Sequence, residues 1–193
     1  MRALYTLGVL YVALCGALLW AGRSSPSAGS APAAPPYVPV TAMSGPEWFR
    51  RMKPFCNPVE VETQARFVPP PPGFEGAAYG AGCFALAGKI DRARELIAAL
   101  DANERLRAAN IVFDLAHPVA DAGDDKSAGP IMALVVEFSP DNYMALYHAG
   151  ASEFILGQPD LARTHLTRFL ELYQQKDGWH SNAIDMLGRL DRR

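Results

Sequence analysis

Hydrophobic and polar positions divide the 193-residue chain into three stretches. Ala3 to Ala21 is 19 residues without a charge, bounded by Arg2 and Arg23. Residues 24–43 are dominated by small residues and proline, again without charge, and cannot bury a core; they read as a semi-extended tether. From Ser44 the pattern becomes that of a folded body. Ser44-Gly45-Pro46-Glu47 has a capping serine, an early proline and a glutamate three residues on. This predicts a short helix to about Met52, with Trp48, Phe49 and Met52 on its apolar side and Pro54 as its stop. Val59-Glu60-Val61-Glu62 alternates as a strand does. Pro69 to Pro72 predicts polyproline II. Twelve of the 16 prolines precede residue 73, so an irregular strap over 44–72 gives way to a helical body near Gly73. A last helix is expected over 178–192, with Trp179, Ala183, Met186, Leu187 and Leu190 on one face and a polar outer face.

Within the helical body the pattern repeats. Gly88-Lys89-Ile90-Asp91-Arg92-Ala93-Arg94 recurs 69 residues later as Gly157-Gln158-Pro159-Asp160-Leu161-Ala162-Arg163. Gly123 and Ala128 stand 34 residues before Gly157 and Ala162, and Ala116 stands 34 before Gly150. Each unit reads as a helical hairpin. A small residue midway along the first helix (Ala81, Ala116, Gly150) admits the second helix. A glycine (Gly88, Gly123, Gly157) ends the first helix in a left-handed turn. An alanine (Ala93, Ala128, Ala162) on the second helix fits against the first, and Pro140 starts the next unit.

A 34-residue period is the tetratricopeptide period. Val135 to Gly150, with its Ser139-Pro140-Asp141-Asn142 turn followed by Leu146, Tyr147 and Gly150, resembles the junction between two tetratricopeptide repeats. The resemblance covers about residues 73–176 in three units, near 74–108, 109–142 and 143–176. It implies an all-α fold: a short right-handed array of about three helical hairpins plus a C-terminal capping helix. It also implies a non-catalytic role in protein–protein interaction. The middle unit departs from the pattern, because Gly129-Pro130 falls in its second helix, which is expected to begin only near Pro130. Its loop, Ala120 to Asp125, is expected to be longer and more acidic than the others.

The N-terminal run decides the compartment. Nineteen residues make a helix of about 28 Å, close to the roughly 30 Å hydrocarbon core of a bilayer. Residues 1–23 therefore read as an uncleaved signal anchor, with a cleaved secretory signal and a lipid-modified Cys15 as alternatives. The positive-inside rule weakly favours a cytoplasmic N-terminus and an exported body, which is secreted if the segment is cleaved. Charge adds an exclusion: the net charge is −2, and the two arginines before residue 44 leave 16 basic against 20 acidic residues in the body. No basic field exists to hold nucleic acid. In an exported body, Cys56 in the strap and Cys83 in the first hairpin are expected to form one disulfide, pinning the strap over a helix that has no earlier neighbour. Trp48, Phe49, Phe55 and Phe67 are expected to cover that gap.

Candidate chemistry is sparse. His117, His148, His165 and His180 are scattered, with no His-x-x-x-His or Cys-x-x-Cys, so no metal or haem site is expected. Asp121, Asp124 and Asp125 lack the frame of a calcium loop. Ser152 lacks a nucleophile elbow, and Gly76, Gly80 and Gly82 lack the residues of a phosphate loop. No cofactor and no catalytic residue is expected. On helical spacing Asn110, Phe113 and His117 from the second unit face a groove with Met144, Tyr147 and Phe154 from the third. Aromatic and amide groups in that pattern suit an extended peptide from a protein partner, itself unidentified. Membrane attachment is assigned to residues 3–21.

Overall fold

A computed structural model describes residues 43–192, and all regular structure among them is helical. The predicted anchor, the linker and Cys15 lie outside the described residues. No described helix is long and apolar enough to cross a membrane. The elements are α1 (Gly45–Met52), a 3-10 turn (Lys53–Phe55), α2 (Val61–Phe67), α3 (Phe74–Leu86), α4 (Ile90–Ala98), α5 (Ala102–Asp121), α6 (Asp125–Phe138), α7 (Tyr143–Ile155), α8 (Pro159–Leu172) and α9 (Gly178–Asp191). The pairs α3/α4, α5/α6 and α7/α8 pack side by side, α3 also packs on α5, α6 on α7, and α9 on α8 and α7.

The three pairs are closed by the same turn. Gly88, Gly123 and Gly157 have φ of 72°, 87° and 71°. Each donates its N–H to the carbonyl three residues back (Ala85, Ala120, Phe154). The following N–H (Lys89, Asp124, Gln158) reaches the carbonyl five back (Phe84, Val119, Glu153). This is the Schellman motif, in which a glycine adopts the left-handed conformation without a Cβ penalty and satisfies orphan carbonyls. The helices cross at small residues: Ala81, Ala93, Ala116, Ala128 and Ala162 are fully buried. A Cβ on Gly150 would lie 2.7 Å from Leu166 Cγ of α8. The loop containing Pro140 hands the chain to α7, whose cap is Asn142, accepting from the Ala145 N–H at 3.0 Å.

The strap lies along α3. Ser44 and Glu47 form the capping box of α1. Trp48 is fully buried, and its indole N–H donates to the Val68 carbonyl at 2.9 Å. Two glycines of α3 have their reason here. A Cβ on Gly76 would fall 1.6 Å from the Pro71 carbonyl oxygen, and one on Gly80 would lie 3.2 Å from Pro70 Cγ. The proline run is thus seated on a helix face cleared of side chains, with the Pro71 backbone against Gly76 and the Pro70 ring against Gly80. Cys56 and Cys83 form a disulfide with Cα atoms 4.9 Å apart, across a helix where Cys83 is fully buried. Phe49 is buried and Phe55 half-buried, but Phe67 is 77% exposed and covers nothing.

Three local readings of the sequence are corrected. Val59 to Glu62 is not a strand: the Asn57 side chain accepts from the Val59 and Glu60 N–H groups and starts α2. Val61 is buried while Val59 is exposed, whereas a strand would put both on one face. α5 starts at Ala102, capped by Asp101, so the second helical pair begins seven residues before the expected 109. α6 starts at Asp125, not near Pro130. Asp124 caps it by accepting from the Ser127 N–H at 3.1 Å, and Pro130 forfeits one hydrogen bond near the exposed first turn. The connection is therefore only Ala122–Asp124, as short as the other two, and Asp121 and Asp125 are helical residues flanking it.

Two apolar clusters fill the interior. The first joins the strap, α3 to α6, and Ala145 and Ala149 of α7. The second joins Leu146, Tyr147 and Ala151 of α7 to Leu166, Phe169, Tyr173 and Ala183. α7 is therefore the partition between them, buried continuously from Ala145 to Glu153.

Candidate functional site

A helix buried on every side is ordinarily apolar throughout. α7 is not: His148, Ser152 and Glu153 are 1%, 2% and 7% exposed. Buried polar groups require partners. Glu153 has one in α8, accepting from His165 Nδ1 at 2.8 Å. Ser152 faces Gly129 of α6, where no side chain competes. His148 has one partner for two nitrogens. Its Nδ1 donates to Asp125 Oδ1 at 2.7 Å. A carboxylate only accepts, so Nδ1 carries a hydrogen, and the ring turns Nε2 inward.

The α5–α6 turn determines what that nitrogen meets. It places Asp121, the last residue of α5, beside Asp125, the first of α6. Asp121 Oδ1 lies 3.8 Å from His148 Nε2 and 3.4 Å from His117 Nε2, one helical turn back. One ring nitrogen of each histidine and one Asp121 oxygen all lie within 4.8 Å of one another. Both Nε2 atoms are buried without a hydrogen-bond partner among the described residues. Burial pushes the His117 imidazole below its ordinary range, Asp121 pulls the other way, and His148 adds to the lowering. His117 therefore stays neutral near pH 7. Asp121, with a side chain 48% exposed, opens the cluster to solvent.

Aromatic rings fix the two imidazoles. His117 stacks on Phe113 with centroids 4.5 Å apart. His148 meets His117, Tyr147 and Trp179 edge-on at 5.2, 5.3 and 5.4 Å. Tyr147 in turn packs on Trp179 and Phe169, and burial raises its hydroxyl pKa.

The six residues expected to share one groove are divided by α9. Asn110, Phe113 and Met144 line a surface depression with Asp141, Asn142 and Tyr143, at the start of α7. Tyr147 is only 5% exposed, built into the aromatic cluster. Phe154 lies at the other end of α7, under the Arg189 guanidinium at 4.8 Å, in a second depression with Asp185 and Asn182. His117 belongs to the histidine–aspartate cluster between them. Spacing along α5 and α7 puts all six toward one side, but the C-terminal helix occupies part of it. The cluster itself had one sequence signal, His117 and Asp121 at i, i+4 on one helix face; His148 joins only through the fold. No known protein family, curated protein or solved structure matches the chain.

Proposed function

We propose that the chain is a membrane-tethered, non-catalytic helical-repeat module of the tetratricopeptide type, which docks a protein partner in the cell envelope through the depression at the start of α7. The observation that carries this reading is the lining of that depression. It combines the Asn110 and Asn142 amides with the apolar surfaces of Phe113, Tyr143 and Met144. Amides pair with a peptide backbone while apolar walls take its side chains. The recurring Schellman turns and small crossing residues support the repeat assignment. The 19-residue uncharged run supports the tether. The disulfide fits an exported body, since such bonds persist in oxidising compartments.

A second reading, a structural subunit of an envelope assembly, is favoured by the strap, which covers the outer end of the helical body. Retention of one partner by the full chain in detergent and by residues 44–193 alone, with loss on Asn110→Ala and Tyr143→Ala, supports docking. Retention only by the full chain, insensitive to both substitutions, supports assembly through the membrane segment.

A further inference from the structure

We propose that His117, Asp121 and His148 form a binding site for a divalent transition-metal ion, with zinc as the best-fitting occupant. This goes beyond the docking reading and does not depend on it. Two imidazoles and a carboxylate are a donor set that suits zinc. Atoms held about 2.0–2.1 Å from a tetrahedral zinc sit about 3.4 Å from one another. His117 Nε2 and Asp121 Oδ1 are 3.4 Å apart, and His148 Nε2 and Asp121 Oδ1 are 3.8 Å apart. The imidazole–imidazole separation, at most 4.8 Å, has the furthest to close.

Two independent observations point to a ligand rather than to a chance cluster. The first is the orphaned nitrogens. An unsatisfied buried polar atom is costly, and here two Nε2 atoms converge on one carboxylate without hydrogen bonds. The second is Asp125. By accepting from His148 Nδ1 at 2.7 Å it fixes the ring's orientation and turns Nε2 toward Asp121, which is the role of the carboxylate behind a metal-bound histidine. The rings of Phe113, Tyr147 and Trp179 restrict both imidazoles to this geometry. The half-exposed Asp121 supplies an entry path and leaves a fourth position toward solvent. An ion there ties the end of α5 to α7, and so the second helical pair to the third.

The test uses the untagged full chain in detergent, stripped with a chelator and titrated with zinc alone by calorimetry, with cobalt(II) as an optical probe. The site predicts one zinc per chain, a rise in melting temperature, and cobalt bands of a low-coordinate nitrogen–oxygen site. Asp125→Asn should weaken zinc binding about 10–100-fold, and His117→Gln and Asp121→Asn should weaken it more. His148 is buried, so its variants risk misfolding; His117 and Asp121 are more exposed, and unchanged far-ultraviolet circular dichroism certifies the fold. Absence of stoichiometric zinc binding, or binding indifferent to His117→Gln and Asp121→Asn, overturns the proposal.

Discussion

Substituting Gly129 by alanine should destabilise the protein, although helix propensity alone says the opposite. Gly129 lies inside α6, where alanine is favoured over glycine by about 1 kcal/mol. The added Cβ would stand 2.0 Å from Ser152 Oγ and 2.2 Å from Ser152 Cβ. A rotamer change moves the hydroxyl but leaves the Cβ fixed to α7. Carbon atoms rest about 3.5–4.0 Å apart, so α6 and α7 must separate by more than about 1 Å. α7 partitions two apolar clusters, and both feel the shift. Overpacking costs about 1–3 kcal/mol, and a backbone-anchored clash in a continuously buried helix belongs at the upper end. The net effect is then about 1–2 kcal/mol of destabilisation. For a domain of this size that lowers the melting temperature by about 2–8 °C, measured by far-ultraviolet circular dichroism on the full chain in detergent. Ser152→Gly removes both colliding atoms. In the Gly129→Ala background it should restore stability, with a coupling of about 1–3 kcal/mol in the double-mutant cycle. A Gly129→Ala protein melting at or above the parent, or strict additivity of the two substitutions, would refute the close α6–α7 approach.

Three further outcomes follow from the site and the strap. His117 is held below its ordinary pKa of 6.5 by burial, so the unfolded chain binds its proton first and stability should fall as pH drops below about 6.5. His117→Gln should flatten that acid slope in pH-dependent urea melts; an unchanged slope would contradict the assignment. The Tyr173 hydroxyl donates to Asp177 and is raised from 10.0 to about 12, so its contribution is complete below pH 10 and lost as pH rises through 12. Asp177→Asn, which keeps a capping side chain for α9, should bring tyrosinate absorbance back toward pH 10, and an unmoved titration would count against the pair. The disulfide closes a 27-residue separation, worth about 3–4 kcal/mol in the chain-entropy model. Reduction should raise amide exchange in residues 44–72 before the helical pairs; the reverse order would show that the strap does not depend on the pin.

The parts of this fold that were legible in the sequence are those governed by local rules. Gly88, Gly123 and Gly157 mark turns because only glycine enters the left-handed region freely. Ala93, Ala128 and Ala162 mark crossings because a larger side chain would not fit. Val59 to Glu62 misled because four residues cannot separate a two-residue period from the entry of a helix, and the Asn57 side chain settled the matter. The acidic run at Ala120 to Asp125 read as loop, yet Asp121 and Asp125 complete helices and face buried histidines. Partners 23 and 27 residues apart leave no periodic trace. The expected groove failed to form as one surface for a related reason: no local pattern says that α9 covers Tyr147.

The depression at the start of α7 is proposed to receive a protein partner. Placing a photo-crosslinking residue at Met144, and separately at exposed Leu161 on α8, in cells with an intact envelope tests it directly. A discrete adduct from position 144 that disappears with Asn110→Ala or Tyr143→Ala, and none from position 161, is the predicted result. No adduct from position 144, or the same adduct from both positions, would contradict the claim.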